Sequence, residues 1–381
     1  MKADLVVRNG RLFDPSQNLD MVGDVAIVNG KIEAIGPNLD VAAAMSIDAS
    51  GCLVTAGWID IHAHIYEGST PNGMPVDLGA LPMGITAIVD AGSSGVASYR
   101  NLLRQLRANK TRGKLMLNVS ACGIIMPNQF PEPVDPKVWD QKLFEKAYAE
   151  CGEDMIALKL RVSRGIVGAL GLEPLHKAIE AAERLGTKLV VHVTDGPAPM
   201  REIAAILRPG DVFCHVFHGT GHTILTPEGK VDPGIYEARE RGVIFDASSG
   251  RGNFSLRVAR AAIEQGFLPD SISTDVTLQN WNHPLAGQLP TVMSRYLPLG
   301  MSLADIISCV TDGPAVQFGT EGLGTLALNT PADITVAKME QTSKRYVDKD
   351  GDSVDYSELF IPKATIVRGE LWYRAVDCAL L

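Results

Sequence analysis

The stretch GWIDIHAHIYEG, residues 57–68, sets an apolar run, Trp58-Ile59-Asp60-Ile61, directly against two histidines, His62 and His64. The run has the bulk and length of a buried strand, and successive side chains of a strand point to opposite faces. His62 and His64 are two apart, so they share a face at the point where the strand stops. Two neutral imidazoles so placed can hold one metal ion between them. Polar residues filling the mouth of a barrel would read the same way, so the rest of the chain has to separate the two.

Further strand-like runs follow at GITAIVDAG, KLMLNVSACG, MIALKLRVS, TKLVVHVTD, DVFCHVFHG, GVIFDASSG and DSISTDV. Helical patterns lie between several of them: YRNLLRQLRANK, PLHKAIEAAERLG, MREIAAILR and RVARAAIEQG. Strands alternating with helices predict an α/β protein with a parallel sheet. Eight such runs between residues 56 and 325 match a (β/α)8 TIM barrel, whose active site lies at the carboxyl ends of its strands. An open doubly wound sheet is the competing architecture, but the chain has no GxGxxG turn after a strand. The ends differ in texture. Asn9-Gly10 and Asn29-Gly30 sit between apolar segments, as type I′ hairpin turns require, and Arg368-Gly369 reads as a turn near the other end. Residues 1–55 and 326–381 are therefore expected to build one small β-sandwich domain beside a barrel domain of residues 56–325. The polar segment QTSKRYVDKDGDSVDYSE is expected to be a solvated loop.

The other strand ends carry more ligand-type residues. His192 ends LVVHV, His215 ends DVFCH, Asp275 ends DSISTD, and Lys159 lies within MIALKLR. Six such residues at one end of one barrel form a metal site more readily than chance packing does. The lysine is the informative member. As an ammonium it repels a cation, but a neutral amine reacts with CO2 to give an anionic carbamate that can bridge two metal ions. His62, His64 and Asp275 then hold the inner ion, His192 and His215 the outer one, and Lys159, as N6-carboxylysine, joins them. With two divalent ions present, a shared water becomes a metal-bridging hydroxide, and Asp275 acts as general base and then acid. These ligands suit Zn²⁺, with Mn²⁺ or Fe²⁺ also possible.

The HxH, Lys, His, His, Asp succession, the AGWIDIHAHI entry, the GITAIVDAGS second strand and the PADITV segment (331–336) together resemble the amidohydrolase superfamily, in its binuclear branch with a carboxylated lysine. Within it the chain is most similar to the deacetylase-like group often labelled dihydroorotase, some members of which are esterases or amidases of acetylated hydroxy or amino acids. The resemblance implies a hydrolase of an amide or ester in a small substrate bearing a carboxylate, with homo-oligomerisation possible. The alternatives are a cyclic amidohydrolase of the dihydroorotase or hydantoinase kind and a mononuclear deaminase. Dihydroorotases carry an arginine two residues past the second histidine; Tyr66 stands there in this chain, which argues against that activity. Arg161 shares the face of Lys159 and is a candidate carboxylate ligand, with a structural ion pair as the other reading. His218 is a candidate for stabilising the oxyanion or for bracing its loop. The glycine-rich SSGRGNFS (248–255) is expected to offer backbone N–H groups to substrate, and Cys122 to be a small buried hydrophobe. His176, His222 and His283 receive no role.

Composition agrees with a small-molecule enzyme. Of 381 residues 46% are hydrophobic and 21% charged, and the net charge of −9 leaves no basic excess for nucleic acid or an anionic membrane. Six cysteines without a CxxC pair predict free thiols. An N-terminus that meets Asp4 and Arg8 predicts no secretory signal, and no apolar run would cross a bilayer, so the expected compartment is the cytoplasm.

Overall fold

In the computed structural model, residues 2–126, 129–283 and 287–381 are described. The first strands are β1 (Lys2–Asp14), β2 (Leu19–Val28), β3 (Lys31–Gly36), β4 (Ala42–Asp48) and β5 (Leu53–Ala56). Seven more follow: β6 (Trp58–Ala63), β7 (Ile85–Ala91), β8 (Arg112–Asn118), β9 (Met155–Arg161), β10 (Lys188–His192), β11 (Val212–Cys214) and β12 (Ile244–Asp246). The last are β13 (Ile334–Gln341), β14 (Arg345–Val347), β15 (Ser353–Asp355), β16 (Glu358–Val367) and β17 (Glu370–Arg374).

Strands β6 to β12 form one parallel sheet in chain order. Helices cross between neighbours, as the sequence pattern predicts, at Tyr99–Ala108, Glu173–Leu185, Met200–Ile206 and Leu256–Glu264. The helix Glu173–Leu185 stops at Gly186, whose φ of 66° and N–H bonds to Ala182 and Glu183 close the last turn. Ile59, Ile61, Ala87, Val89, Met116, Ala157, Val190 and Val212 pack together in one buried cluster below the strand ends. The expected eighth strand is a correction. Residues 271–276 form no regular strand, but they bridge both sheet edges, Asp246 to Ser271 and Ala63 to Val276. The reason is divided pairing: Ile272 donates to Cys309 and Asp275 to His62, so no single neighbour takes every backbone group.

Both ends of the chain enter one eight-stranded sheet in the order β17-β16-β13-β5-β1-β2-β3, with β4 also pairing to β1. The Asn29-Gly30 hairpin is as expected, with φ of 49° and 75°, and Arg368-Gly369 turns between β16 and β17. Asn9-Gly10 is not a hairpin. Of the two, only Asn9 has positive φ, and the pair forms a bulge inside β1. There β1 changes its parallel partner from β4 (residues 2–8) to β5 (residues 11–12). Glycine is required because a Cβ at position 10 would lie 2.3 Å from Val54 Cγ2.

The segment expected to be a solvated loop is a hairpin, β14–β15, with Tyr346, Val354 and Tyr356 buried in the main hydrophobic cluster. Its alternation of charged and apolar residues hides a strand period. Cys122, expected to be buried, is exposed in a turn beyond β8. All six cysteines are free thiols. Among the described residues no helix is long and apolar enough to cross a membrane.

Candidate metal centre

Of the six side chains singled out at the strand ends, all but His215 line one cavity of about 150 Å³, and His215 packs behind it against His192 and His62. The cavity is lined by His62, His64, Lys159, Arg161, His192 and Asp275 together with Asn118, Glu132 and Asn253. His62 Nε2 lies 3.3 Å from Lys159 Nζ and 3.7 Å from Asp275 Oδ1. His64 Nε2 lies 3.3 Å from the same carboxylate oxygen. The His192 and His215 rings meet edge to face with centroids 4.3 Å apart, and His215 is 5.0 Å from His62. Two groups with metal-ligand proximity occur among the described residues: His62, His64 and Asp275, and His62, Cys214 and Asp246.

A supporting layer fixes these rings. His62 Nδ1 meets Ser248 Oγ at 2.9 Å, His64 Nδ1 meets Ser93 Oγ at 2.9 Å, and His215 Nδ1 donates to the Ser248 carbonyl at 2.8 Å. Each ring is thus held through Nδ1, which leaves Nε2 outside this layer, as metal-binding histidines are held by their surroundings. Behind His62 stands Asp246, which accepts hydroxyl bonds from Ser248, Ser271 and Ser273. Because His62 Nδ1 is committed to this layer, Asp246 supports the site rather than facing the cavity. Asp90 receives the N–H groups of Ser93 and Ile65, and Asp60 receives the Thr274 hydroxyl at 2.5 Å. Spacing offered a signal for two of these residues, since Asp60 precedes His62 by two and Asp246 precedes Ser248 by two. The serines at 271 and 273 acquire their role only when β12 meets the last segment.

Electrostatics sorts the groups. Burial holds His62 below its usual range, with the Lys159 charge acting in the same direction, and burial pushes His215 down to about 3. Both are neutral imidazoles with a lone pair to give. For Asp275 burial acts upward, but the hydrogen bond with His64 and the close approach of the neighbouring imidazoles prevail and hold its carboxyl well below the usual carboxylate range. Burial raises Asp60 to about 7. His215, Ser248 and Asp275 take φ values of 62°, 39° and 52°, sparsely populated for residues with side chains. Glycines make room for the close contacts. A Cβ at Gly92 would lie 2.7 Å from Lys159 Cγ, and one at Gly250 would lie 2.1 Å from Asp275 Oδ2.

One expected substrate contact falls elsewhere, and a second has part of its backbone already engaged. His218 is fully buried with Nε2 3.5 Å from Met200 Sδ and is not among the cavity-lining residues. Its place one turn past β11 puts it beneath the loop. In 248–255 the N–H groups of Ser249, Gly250, Asn253 and Ser255 already donate to carbonyls. That segment instead reaches the site through Asn253, whose Nδ2 donates to Asp275 Oδ2 at 2.9 Å. Tyr66 is buried, and its hydroxyl donates to the Ser98 carbonyl. His176, His222 and His283 are exposed, away from the cavity. Glu132, which the sequence gave no reason to choose, lines the cavity near Arg161.

No family model matches the chain. It is 34% identical over 350 residues to a deacetylase of Agrobacterium fabrum, covering 90% of this chain and 84% of that protein. It is 32% identical over 363 residues to a deacetylase of Brucella anthropi, covering 93% and 89%. A crystal structure of an adenine deaminase aligns with a TM-score of 0.90 at 29% identity, over 98% of this chain and 100% of that one. A crystal structure of a dihydroorotase aligns with a TM-score of 0.86 at 30% identity, over 96% and 97%. The chain belongs to the amidohydrolase superfamily, and it is a metal-dependent amidohydrolase.

Proposed function

We propose that this enzyme cleaves an amide or ester bond, as a deacetylase or esterase does, in a small substrate that carries a carboxylate. The observation behind this reading is the meeting of His62 and His64, each held through Nδ1, on the Asp275 carboxylate beside Lys159. The donor set fits divalent ions. Burial lowers His62, His192 and His215 below the usual imidazole range, the Asp275 carboxyl lies well below the usual carboxylate range, and His215 Nε2 is buried with no hydrogen-bond partner among the described residues.

His62, His64 and Asp275 would hold one ion and His192 and His215 a second. Lys159, as N6-carboxylysine, would join them; Zn²⁺ suits the set, as do Mn²⁺ and Fe²⁺. When bound, such ions acidify a water and polarise a carbonyl. Asp275, steadied by Asn253, takes a proton from the nucleophile and returns it to the leaving amine or alkoxide. Arg161, at the cavity wall, takes the substrate carboxylate. On this reading residues 56–325 form a closed (β/α)8 barrel, residues 1–55 with 326–381 form a β-sandwich beside it, and the enzyme works in the cytoplasm.

A single-ion deaminase is the second reading. It is favoured by the His62, His64, Asp275 group and by the likeness to an adenine deaminase. Cyclic amidohydrolysis has the dihydroorotase likeness in its favour and the engaged Tyr66 against it. Metal analysis separates the readings. Two equivalents per chain, with binding dependent on CO2, support the bridged pair; one supports the deaminase; none defeats both. Asp275→Asn should keep part of the metal and lose about 10²–10⁴-fold in kcat on N-acetyl amino acids or acetylated hydroxy acids. Full turnover by that variant would remove Asp275 from the chemistry.

A further inference from the structure

Glu132 sits in the wall of the cavity, 4% exposed, and neither carboxylate oxygen has a hydrogen-bond partner among the described residues. Its nearest cation is Arg161, at 3.4 Å from Nε to Oε1 without hydrogen-bond alignment, and that Nε is itself unbonded. Several arginines elsewhere in the chain grip their carboxylates with two bonds, while Arg164, Arg201 and Arg239 make looser contacts at 3.7, 3.3 and 3.5 Å with more exposed carboxylates. Arg112 holds Asp333 at 2.6 and 3.1 Å, Arg11 holds Asp20 at 2.7 and 2.7 Å, and Arg345 holds Asp355 at 2.6 and 2.9 Å. The Glu132–Arg161 pair is more deeply buried than the last two, yet more loosely made. A buried carboxylate left without donors is costly, so a pair of this kind is built to be completed by something else.

We propose that Glu132 is a specificity-determining residue that receives an N–H of the substrate while Arg161 receives its carboxylate. The inference rests on the hydrolase reading above and narrows its substrate class. A substrate that offers a donor to Glu132 and an anion to Arg161 carries an N–H and a carboxylate on neighbouring atoms, as an N-acyl α-amino acid does. An ester of the matching hydroxy acid has an oxygen where the amide has N–H, and it leaves Glu132 facing a lone pair. A site built to bond an N–H discriminates strongly against an analogue without it, because its own buried group is then left unpaired. Glu132 also repels a second carboxylate, which fixes the orientation in which a substrate anion reaches Arg161.

The test compares metal-loaded wild type with Glu132→Gln and Glu132→Ala on N-acetylalanine and O-acetyllactate, which differ only in the amide N–H. Wild type should favour the amide in kcat/KM relative to each compound's uncatalysed lability. Both variants should lower the amide-to-ester ratio by at least about tenfold, with KM for the amide rising more than kcat falls. An unchanged ratio in folded, metal-loaded variants would overturn the proposal. Calorimetric binding of the two products supplies an arm that needs no turnover. Wild type should bind alanine at least about tenfold more tightly than lactate, and Glu132→Gln should abolish that preference. If neither acetyl compound is turned over but this binding preference appears and depends on Glu132, the hydrolase reading fails and the recognition role stands. If the preference is absent, the recognition role fails whatever the turnover.

Discussion

His218 is buried beneath the loop after β11, and burial holds its imidazole down at about 4, against an ordinary value of 6.5. A base whose pKa is lower in the folded chain than in the unfolded one stabilises the fold above the unfolded value. That stability drains away as pH falls towards the folded value. The window here runs from about pH 6.5 to about pH 4, and the loss across it is about 3 kcal/mol. His218→Gln, which cannot protonate there, should remove about that much of the difference in urea unfolding free energy between pH 7 and pH 4. An acid limb as steep as the parent's would show that other groups carry it. At this scale the sequence made the cavity histidines legible, because period-two alternation places a strand's side chains without reference to the rest of the fold. It could not separate His218 from them, since a histidine three residues past His215 reads the same whether it faces a cavity or Met200. Glu132 was invisible for a similar reason, as a loop residue has no period from which its direction can be read.

The helix Leu256–Glu264 begins after Ser255, a residue type that commonly caps helices, yet Ser255 makes no side-chain cap bond. The cap comes from the β14–β15 hairpin. Asp348 Oδ2 accepts the Leu256 N–H at 2.8 Å, and its Oδ1 accepts the N–H groups of Asp350 and Asp352. One carboxylate thus shapes the hairpin turn and starts a helix 92 residues earlier in the chain. Asp348→Ala should cost about 1–2 kcal/mol, read as a lower urea midpoint with the slope unchanged, while Ser255→Ala should cost less. Equal losses at the two positions would contradict this assignment. Elements with strong local patterns were legible in advance: the parallel strands, the four amphipathic helices, and the turns at Asn29-Gly30 and Arg368-Gly369. Those that differed depend on distant partners. Asn9-Gly10 became a bulge because β1 must change neighbours, and residues 271–276 lost strand regularity because their backbone serves several partners.

The terminal sheet is joined to the parallel sheet through Asp333, which lies just before β13. Its carboxylate takes two bonds from Arg112 at the start of β8 and the N–H of Arg368, and its carbonyl takes the N–H of Gly57 just before β6. Thr335 and Thr365 add hydroxyl bonds to the carbonyls of Gly84 and Leu81. Asp333→Ala strands a largely buried guanidinium and should destabilise the protein by about 3 kcal/mol. Calorimetry should show the single unfolding transition broadening or dividing as the two sheets uncouple. A sharp transition at the parent temperature would mean that apolar contacts hold the sheets together without Asp333. Composition and local period, by themselves, determined that this chain alternates strand and helix, that ligand-type side chains stand at the strand ends, and that both termini are β-rich. These properties depend on neighbours two to four residues away, which a linear sequence displays. Only the tertiary structure decided which histidines share a cavity, that Asp246 and its serines brace His62, and that Glu132 faces Arg161 without a matched bond. Those relations join residues up to hundreds of positions apart, and they are set by how sheets and loops pack in space.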